Sequence, residues 1–155
     1  MTADGIVDGV RVRSAIPADL PALALLDDEV FPDSDRWSLL RGLIAGTLGF
    51  CLVAEDPGSA SLVGYVAVAE RHFFGRDFIE LLQVAESGRR RGTGRLLMQT
   101  AAAQSATHTV FTSTNESNAP MRGLLSSLGW TVSGALDGLD EGDPEIVYYL
   151  PRETE

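Results

Sequence analysis

The sequence predicts a single α/β (α+β) domain with about seven strands flanked by four helices. Three observations support this fold class. The chain has 155 residues, a length typical of one domain. Hydrophobic residues make up 45% and charged residues 22% of it, as in a globular protein with one core. Strand-like and helix-like hydrophobic patterns alternate along the chain, with no internal repeat and no second composition regime.

The first half of the chain predicts a strand, two helices and a hairpin. Residues 1–9 are polar and contain glycine and aspartate, which predicts a flexible tail, so that the domain covers residues 10–155. Pro17 fits the first position of a helix with leucines at helical spacing, and Gly49 ends a second helix. A Pro-Gly turn then joins two strands. In order, these elements are a strand at 10–13, helices at 18–29 and 37–48, and strands at 50–55 and 62–69.

The second half begins with a strongly apolar run, suited to a central strand covered on both faces. A loop with glycines opens the next helix, asparagines supply caps for another helix, and an acidic loop joins the last two strands. In order, these elements are a strand at 78–84, a helix at 93–104, a strand at 109–113, a helix ending at 129, and strands at 130–135 and 146–150.

Charge and composition exclude several classes of protein. The net charge is −10 and all twelve basic residues are arginine, whereas nucleic-acid-binding proteins normally have a basic excess, so no nucleic acid is expected as a partner. The one cysteine, Cys51, can form neither an intramolecular disulfide nor a cysteine-cluster zinc site, and no metal is predicted. No apolar run approaches the roughly 18–20 residues of a membrane span. The N-terminus also lacks the pattern of a signal peptide, so we expect a cytoplasmic protein that does not enter a membrane.

The loop before the helix at 93–104 combines glycines with a cluster of arginines. Gly92 and Gly94 let the backbone approach a ligand closely. A helix start presents free N–H groups and the positive end of the helix dipole, which together bind phosphate or pyrophosphate. The clustered arginines are Arg89, Arg90, Arg91 and Arg95.

Three phosphate-binding patterns can be compared with this loop. The P-loop needs a lysine, and the chain has none. The dinucleotide fingerprint Gly-x-Gly-x-x-Gly fails because Leu97 stands where the third glycine belongs. Residues 89–94, Arg-Arg-Arg-Gly-Thr-Gly, match Arg/Gln-x-x-Gly-x-Gly/Ala. Here the chain resembles the GCN5-related N-acetyltransferase (GNAT) family.

The resemblance covers about residues 10–150, because Asn118 and the Leu-Gly-Trp at 128–130 are similar to the family's fourth helix and its Gly-Phe ending. It implies a mixed, mostly antiparallel sheet and an N-acetyltransferase that uses acetyl-coenzyme A (acetyl-CoA) as cosubstrate. The pantetheine arm would lie in a gap between the strands at 78–84 and 109–113, and a backbone N–H near Val84 would polarise the acetyl carbonyl. The implied cosubstrate-binding residues are Leu82, Gln83, Val84, Arg89, Arg90, Arg91, Gly92, Thr93, Gly94, Arg95 and Asn118.

Glu80 is the candidate catalytic base. It is the one ionisable residue inside an otherwise apolar strand, and strict alternation would put it on the face of Leu82 and Val84. A carboxylate there needs a cavity, water or a partner, because an unpaired buried charge is unfavourable. The alternative is a structural ion pair with an arginine such as Arg41 or Arg71.

One position departs from the family pattern. Leu125 occupies the place where the family commonly has a tyrosine that protonates the leaving thiolate. Water, or a tyrosine such as Tyr148 or Tyr149, would then supply that proton. A non-catalytic acyl-CoA-binding or sensing domain therefore stays open as an alternative function.

The acceptor and the assembly state are less defined by the sequence. The expected acceptor is a small-molecule amine, a peptide N-terminus or a lysine. Acidic residues at 27–29, near the expected acceptor site, favour a cationic amine. We expect a monomer or a homodimer.

Overall fold

The structure is a computed structural model that describes residues 5–7 and 9–151. Its strands are β1 (Gly5–Val7), β2 (Val10–Ser14), β3 (Gly49–Asp56), β4 (Ser61–Phe73), β5 (Arg76–Val84), β6 (Thr109–Asn115), β7 (Thr131–Leu136) and β8 (Glu145–Pro151). Its helices are α1 (Leu20–Leu26), α2 (Asp35–Ile44), α3 (Thr93–Gln104) and α4 (Ala119–Ser127), with short 3₁₀ turns at Pro17–Asp19 and Glu86–Gly88.

The described strands form one mixed sheet in the order β1-β2-β3-β4-β5-β6-β8-β7. Each neighbouring pair is antiparallel except β5 and β6, which run parallel. With four α-helices packed on this sheet, the predicted fold class is confirmed.

The sheet has one strand more than the sequence predicted, because part of the expected flexible tail at 1–9 is a strand. β1 pairs antiparallel with β2, from Gly5 opposite Val12 to Val7 opposite Val10. Gly9 has a φ of 78°, the left-handed backbone that a tight turn between adjacent antiparallel strands requires. Residues 1–4 and 8 lie outside the described part of the chain.

The first two helices differ from their predicted bounds for local reasons. The pattern predicted a helix to residue 29, but α1 ends at Leu26 because Asp27 has an extended backbone with a φ of −135°. α2 begins two residues earlier than predicted because the Ser34 hydroxyl accepts a hydrogen bond from the Trp37 N–H at 3.1 Å and so caps the helix. The predicted span of α3, 93–104, is confirmed.

The sheet separates two apolar cores. Alternating residues of β3 show the division, since Leu52 packs in the core beneath α3 and α4 whereas Cys51 packs in the core beneath α1 and α2. Leu97 of α3 and Leu125 of α4 are fully buried in the first core. We call these the α3 core and the α1 core.

A buried carboxylate holds the start of β5 in place. Asp77 is 1% exposed, and its oxygens accept hydrogen bonds from the Arg71 N–H at 2.9 Å, the Ala106 N–H at 3.3 Å and the Ser105 hydroxyl. It therefore ties β5 to the end of β4 and to the connection between α3 and β6.

Replacing Asp77 with alanine should lower the free energy of unfolding by about 3 kcal/mol, because the buried Ser105 hydroxyl and two part-buried backbone N–H groups lose their acceptor. Urea denaturation measures this loss. Asp140→Ala is the matched control, since Asp140 accepts from Asn115 at an exposed position. Equal losses in the two variants would contradict the structural role of Asp77.

Candidate active site

β5 and β6 pair over only three residues and then separate. The parallel pairs are Asp77 with Val110, Phe78 with Phe111, and Ile79 with Thr112. Beyond Ile79, the described pairs of β5 are with β4 alone, although both strands continue. A cavity of about 340 Å³ opens between the separated ends. The family resemblance implied a gap between these two strands.

A β-bulge lies at the point of separation. Ile79 pairs with Val68, and Leu81 pairs with the adjacent Ala67. Glu80, between them, is therefore an extra residue of β5 with no partner on β4. Ile79 and Leu82 both pack in the α3 core, whereas Leu81 packs against the α1 core. The bulge therefore breaks the alternation of side chains, and Glu80 lies on the face of Leu81. The expectation that Glu80 shares a face with Leu82 and Val84 was wrong for this reason.

Glu80 is half-buried in the wall of the gap. Its Oε1 lies 3.5 Å from Nε2 of His72 on β4, not beside the arginines considered as partners. Burial raises the pKa of the Glu80 carboxyl, and a protonated His72 opposes that rise. A carboxyl with a raised pKa at a cavity can accept a proton from a bound group.

The loop after β5 presents a helix start without a side-chain cap. Gly92 is the N-cap residue of α3, with a φ of 74° that suits glycine, and it has no side chain that could accept from the first N–H groups. The Thr93 hydroxyl instead donates to the Gly88 carbonyl at 2.7 Å, which fixes the loop. A Cβ on Gly94 would lie 3.5 Å from Leu124, so α3 and α4 approach closely here. The described loop can thus offer backbone N–H groups to an anion.

The four arginines of this loop do not have the same surroundings. Arg91 donates to the Asp56 carboxylate at 3.3 Å, and Arg95 donates to the Ser127 hydroxyl of α4 at 2.6 Å. Arg89 and Arg90 are exposed, and Arg90 has a left-handed backbone with a φ of 62°. From the sequence, all four arginines were expected to bind the cosubstrate alike. In the structure, Arg91 and Arg95 instead form hydrogen bonds to other side chains of the protein.

The remaining cosubstrate candidates surround the gap. Leu82 and Gln83 line it, and Leu82 and Val84 also pack against the α3 core. Asn118 lines the opposite side, where its side-chain oxygen accepts from the Met121 N–H at 3.2 Å and caps α4. Residues far apart in the sequence therefore meet at one cavity.

The tyrosines considered as proton donors have other contacts. The Tyr148 hydroxyl accepts from Nε of Arg122 at 3.0 Å, and the Tyr149 ring lies 6.2 Å from that of Phe111. Leu125 is fully buried in the α3 core. Leu125, Tyr148 and Tyr149 are not among the described residues that line the gap.

A polar network that the sequence did not predict lies beside the gap. Asp27 accepts from the Tyr65 hydroxyl at 2.5 Å and from Nη1 of Arg36 at 3.0 Å. Arg36 lines the gap and also contacts the exposed carboxylate of Glu29 at 2.7 Å. Asp27 and Tyr65 are 38 residues apart, so only the folded chain shows their pairing. Burial of Tyr65, with Asp27 beside it, raises the pKa of the Tyr65 hydroxyl, which stays protonated and donates.

A sequence profile of the acetyltransferase (GNAT) family matches residues 17–130, which is most of the chain. The chain belongs to this family. It is an N-acetyltransferase, and both the resemblance and the type of enzyme predicted from the sequence are confirmed. The search of curated proteins found no significant match.

Solved structures of acetyltransferases have the same fold. A GNAT-family acetyltransferase from Bacillus cereus ATCC 10987 matches with a TM-score of 0.82 at 29% identity, over 97% of this chain and 100% of that one. NAA60 of Arabidopsis thaliana, solved with acetyl-CoA, gives a TM-score of 0.77 at 17% identity, over 92% and 99%. Nourseothricin acetyltransferase gives 0.69 at 21% identity, over 94% and 99%. Among the helices that the structure describes, none is long and apolar enough to cross a membrane.

Leu125→Tyr should destabilise this GNAT protein by about 1–3 kcal/mol, because a larger side chain with a hydroxyl must enter a filled core. Thermal denaturation followed by circular dichroism measures the change. Leu125→Met, which nearly conserves volume, is the control and should cost less than about 1.5 kcal/mol. Wild-type stability of Leu125→Tyr would show that the site has free space beside α4.

Proposed function

We propose that the protein transfers the acetyl group of acetyl-CoA to a primary amine by direct attack of the amine on the thioester. The observation that carries this proposal is the bulge at Glu80, which places a half-buried carboxyl in the wall of the gap, where β5 and β6 begin to separate. The uncapped start of α3 follows the same strand. A candidate base, a cleft and a helix start that can bind an anion therefore follow one another along β5 and α3.

The cosubstrate would bind along the separated part of β5. The backbone groups of Leu82 and Val84 point to this edge, since those of Gln83 and Ala85 between and after them point to β4. They can form strand-like hydrogen bonds with an extended pantetheine arm, and Gln83 would contribute its side chain. The pyrophosphate would meet the N–H groups of Thr93 and Gly94 at the start of α3. Arg89 and Arg90, both exposed, add positive charge at the same loop.

The reaction needs a proton acceptor and a stabilising donor. A primary amine is mostly protonated at neutral pH, so its proton must be removed before or during attack. Glu80 accepts this proton, directly or through a water, as the new C–N bond forms and the C–S bond breaks. A backbone N–H near Val84 donates to the carbonyl oxygen where negative charge develops.

The leaving thiolate takes its proton from water in this proposal. A thiol pKa near 8.5 makes the thiolate a tolerable leaving group without a dedicated acid. Leu125 is buried and the Tyr148 hydroxyl is bonded to Arg122, which supports water in place of the tyrosines considered from the sequence.

The acceptor is proposed to be a small-molecule amine or a peptide amine. Similar structures include both kinds: Arabidopsis thaliana Naa50 was solved with the bisubstrate analogue CoA-Ac-MVNAL, and another similar structure is nourseothricin acetyltransferase. These two proteins are 17% and 21% identical to this chain, so the similarity shows a shared fold and not a shared acceptor. The carboxylates of Glu80 and Glu145 in the gap favour a cationic amine. The cytoplasmic location and the monomeric or dimeric state stay predictions.

Gly92→Asp should abolish acetyl-CoA binding, because it places a carboxylate at the proposed pyrophosphate site. Titration calorimetry with acetyl-CoA measures the dissociation constant. Gly92→Asn is the matched control, since it imposes the same left-handed backbone strain and a similar shape without the charge. Equal affinities for Gly92→Asp and Gly92→Asn in folded proteins would contradict a phosphate site at this helix start.

Glu80→Gln should lower kcat/KM about 100-fold or more at neutral pH, because the amide keeps the shape of the side chain and cannot accept a proton. Release of coenzyme A thiol measures the rate, and kcat/KM is corrected for the fraction of unprotonated amine. The acetyl-CoA affinity should be unchanged.

The pH profile provides a second test of Glu80. A base works in its ionised form, so the corrected rate should rise with pH through the raised pKa of Glu80. Because the His72 cation lowers that pKa, His72→Gln should move the acidic limb to higher pH. A profile that is identical in wild type and His72→Gln would make the contact between His72 and Glu80 irrelevant to catalysis.

A further inference from the structure

A second cavity, of about 540 Å³, lies near the candidate active site. Its lining residues all belong to strands or to the turn between β4 and β5. The large apolar side chains of the wall are Phe73, Phe74, Phe111, Leu136 and Val147. A volume of this size and an apolar lining are typical of a small-molecule site.

This cavity and Glu80 lie on the same face of the sheet. Ile79 and its partner Thr112 adjoin the α3 core, and the Thr112 hydroxyl donates to the Ile79 carbonyl at 2.9 Å. The next pair, Phe78 and Phe111, therefore points to the other face. The bulge turns Glu80 to that face too, as described above. Phe73 lies on this face as well, since its ring centroid is 5.0 Å from those of Phe78 and Phe111.

The two cavities meet at one cross-strand pair. Ser113 lines the gap and Val147 lines the apolar cavity, and these residues are directly opposite each other on β6 and β8. Directly opposite residues of antiparallel strands have Cβ atoms about 4.5–5.5 Å apart on one face. The floor of the gap thus continues into the floor of the apolar cavity.

From this continuity we infer that the acceptor amine carries an apolar group, aliphatic or aromatic, and that the 540 Å³ cavity binds this group. The inference rests on the proposed function and adds the chemical class of its acceptor. The amine lies at Glu80, in the polar part of the floor beside Ser113 and Glu145. The apolar group lies over Phe111 and Val147, and the exposed side chains of Leu136 and the turn residue Phe74 border it.

The register sets the distance between amine and apolar group. Glu80 follows Phe78 by two residues, and Phe78 is the partner of Phe111. Two residues of a strand span roughly 7 Å, which a spacer of a few carbon atoms can cover. 2-Phenylethylamine and a short peptide with N-terminal phenylalanine both present an amine and an apolar group at such a separation.

The strands offer a variant that fills the cavity without disturbing the packing. Gly134 of β7 lies opposite Val147 and lines the cavity, and a Cβ placed there meets no heavy atom of the described residues within 4 Å. Gly134→Leu should therefore fold and occupy the space of the apolar group. Gly123→Leu is the matched control, because a Cβ at Gly123 also points into open space, on α4 at the opposite face of the sheet. Leu136→Ser, at a residue 49% exposed, removes part of the wall instead.

The experiment measures kcat/KM by release of coenzyme A thiol with 2-phenylethylamine, butylamine, ethanolamine and a phenylalanyl peptide amide. In the wild-type protein, kcat/KM for 2-phenylethylamine should exceed kcat/KM for ethanolamine by tenfold or more. Gly134→Leu and Leu136→Ser should reduce that ratio at least severalfold, while Gly123→Leu keeps it. Acetyl-CoA affinity, measured by calorimetry, should be the same in all four proteins. The peptide arm shows whether the apolar amine is a free small molecule or a chain terminus.

The outcomes separate this inference from the proposed function. Acetylation of polar and apolar amines at equal efficiency, or the same ratio in Gly134→Leu and wild type, would overturn the inference and leave amine acetylation standing. No thiol release with any amine, while acetyl-CoA still binds, would overturn the proposed function and the inference together.

Discussion

The separation of β5 and β6 after three paired residues is the constraint on which the rest of the site depends. The Thr112 hydroxyl bonds the Ile79 carbonyl at the last pair, and the bulge at Glu80 follows at once. Because a strand edge without a partner keeps its N–H and C=O groups available, the separation produces a cleft and a row of binding groups together. The same bulge aims Glu80 into that cleft.

Two buried carboxylates support the cleft from opposite sides. Asp77 fixes the base of β5 against the connection between α3 and β6. Asp27 joins the connection between α1 and α2 to β4 through the Tyr65 hydroxyl and positions Arg36 in the cavity wall. Neither residue touches the proposed cosubstrate path, yet both hold walls that a ligand would contact. Buried and fully bonded polar groups of this kind favour one arrangement of the surrounding elements.

Local signals made much of this fold predictable, and long-range contacts account for what was missed. The first residue of α3 was predicted correctly, because the signals for it, Gly92 and the helical spacing of apolar residues that follows, lie within a few positions of each other. Glu80 was singled out as a polar residue in an apolar strand, but its face was predicted wrongly. A bulge depends on the register with β4, which the sequence of β5 alone does not contain. The network of Asp27, Arg36 and Tyr65 joins three segments and has no local pattern.

The glycine at the start of α3 has a consequence for the stability of the whole protein. A capping side chain at this position contributes a few tenths of a kcal/mol relative to glycine, and Gly92 forms no such bond. An anion bound to these N–H groups supplies the missing acceptor, and binding to the folded state alone shifts the folding equilibrium towards it. Under the proposed function this anion is the pyrophosphate of acetyl-CoA, so resistance to unfolding and to proteolysis should follow the supply of that cosubstrate. The lifetime of the enzyme in a cell would then be set in part by metabolism, in addition to its own sequence.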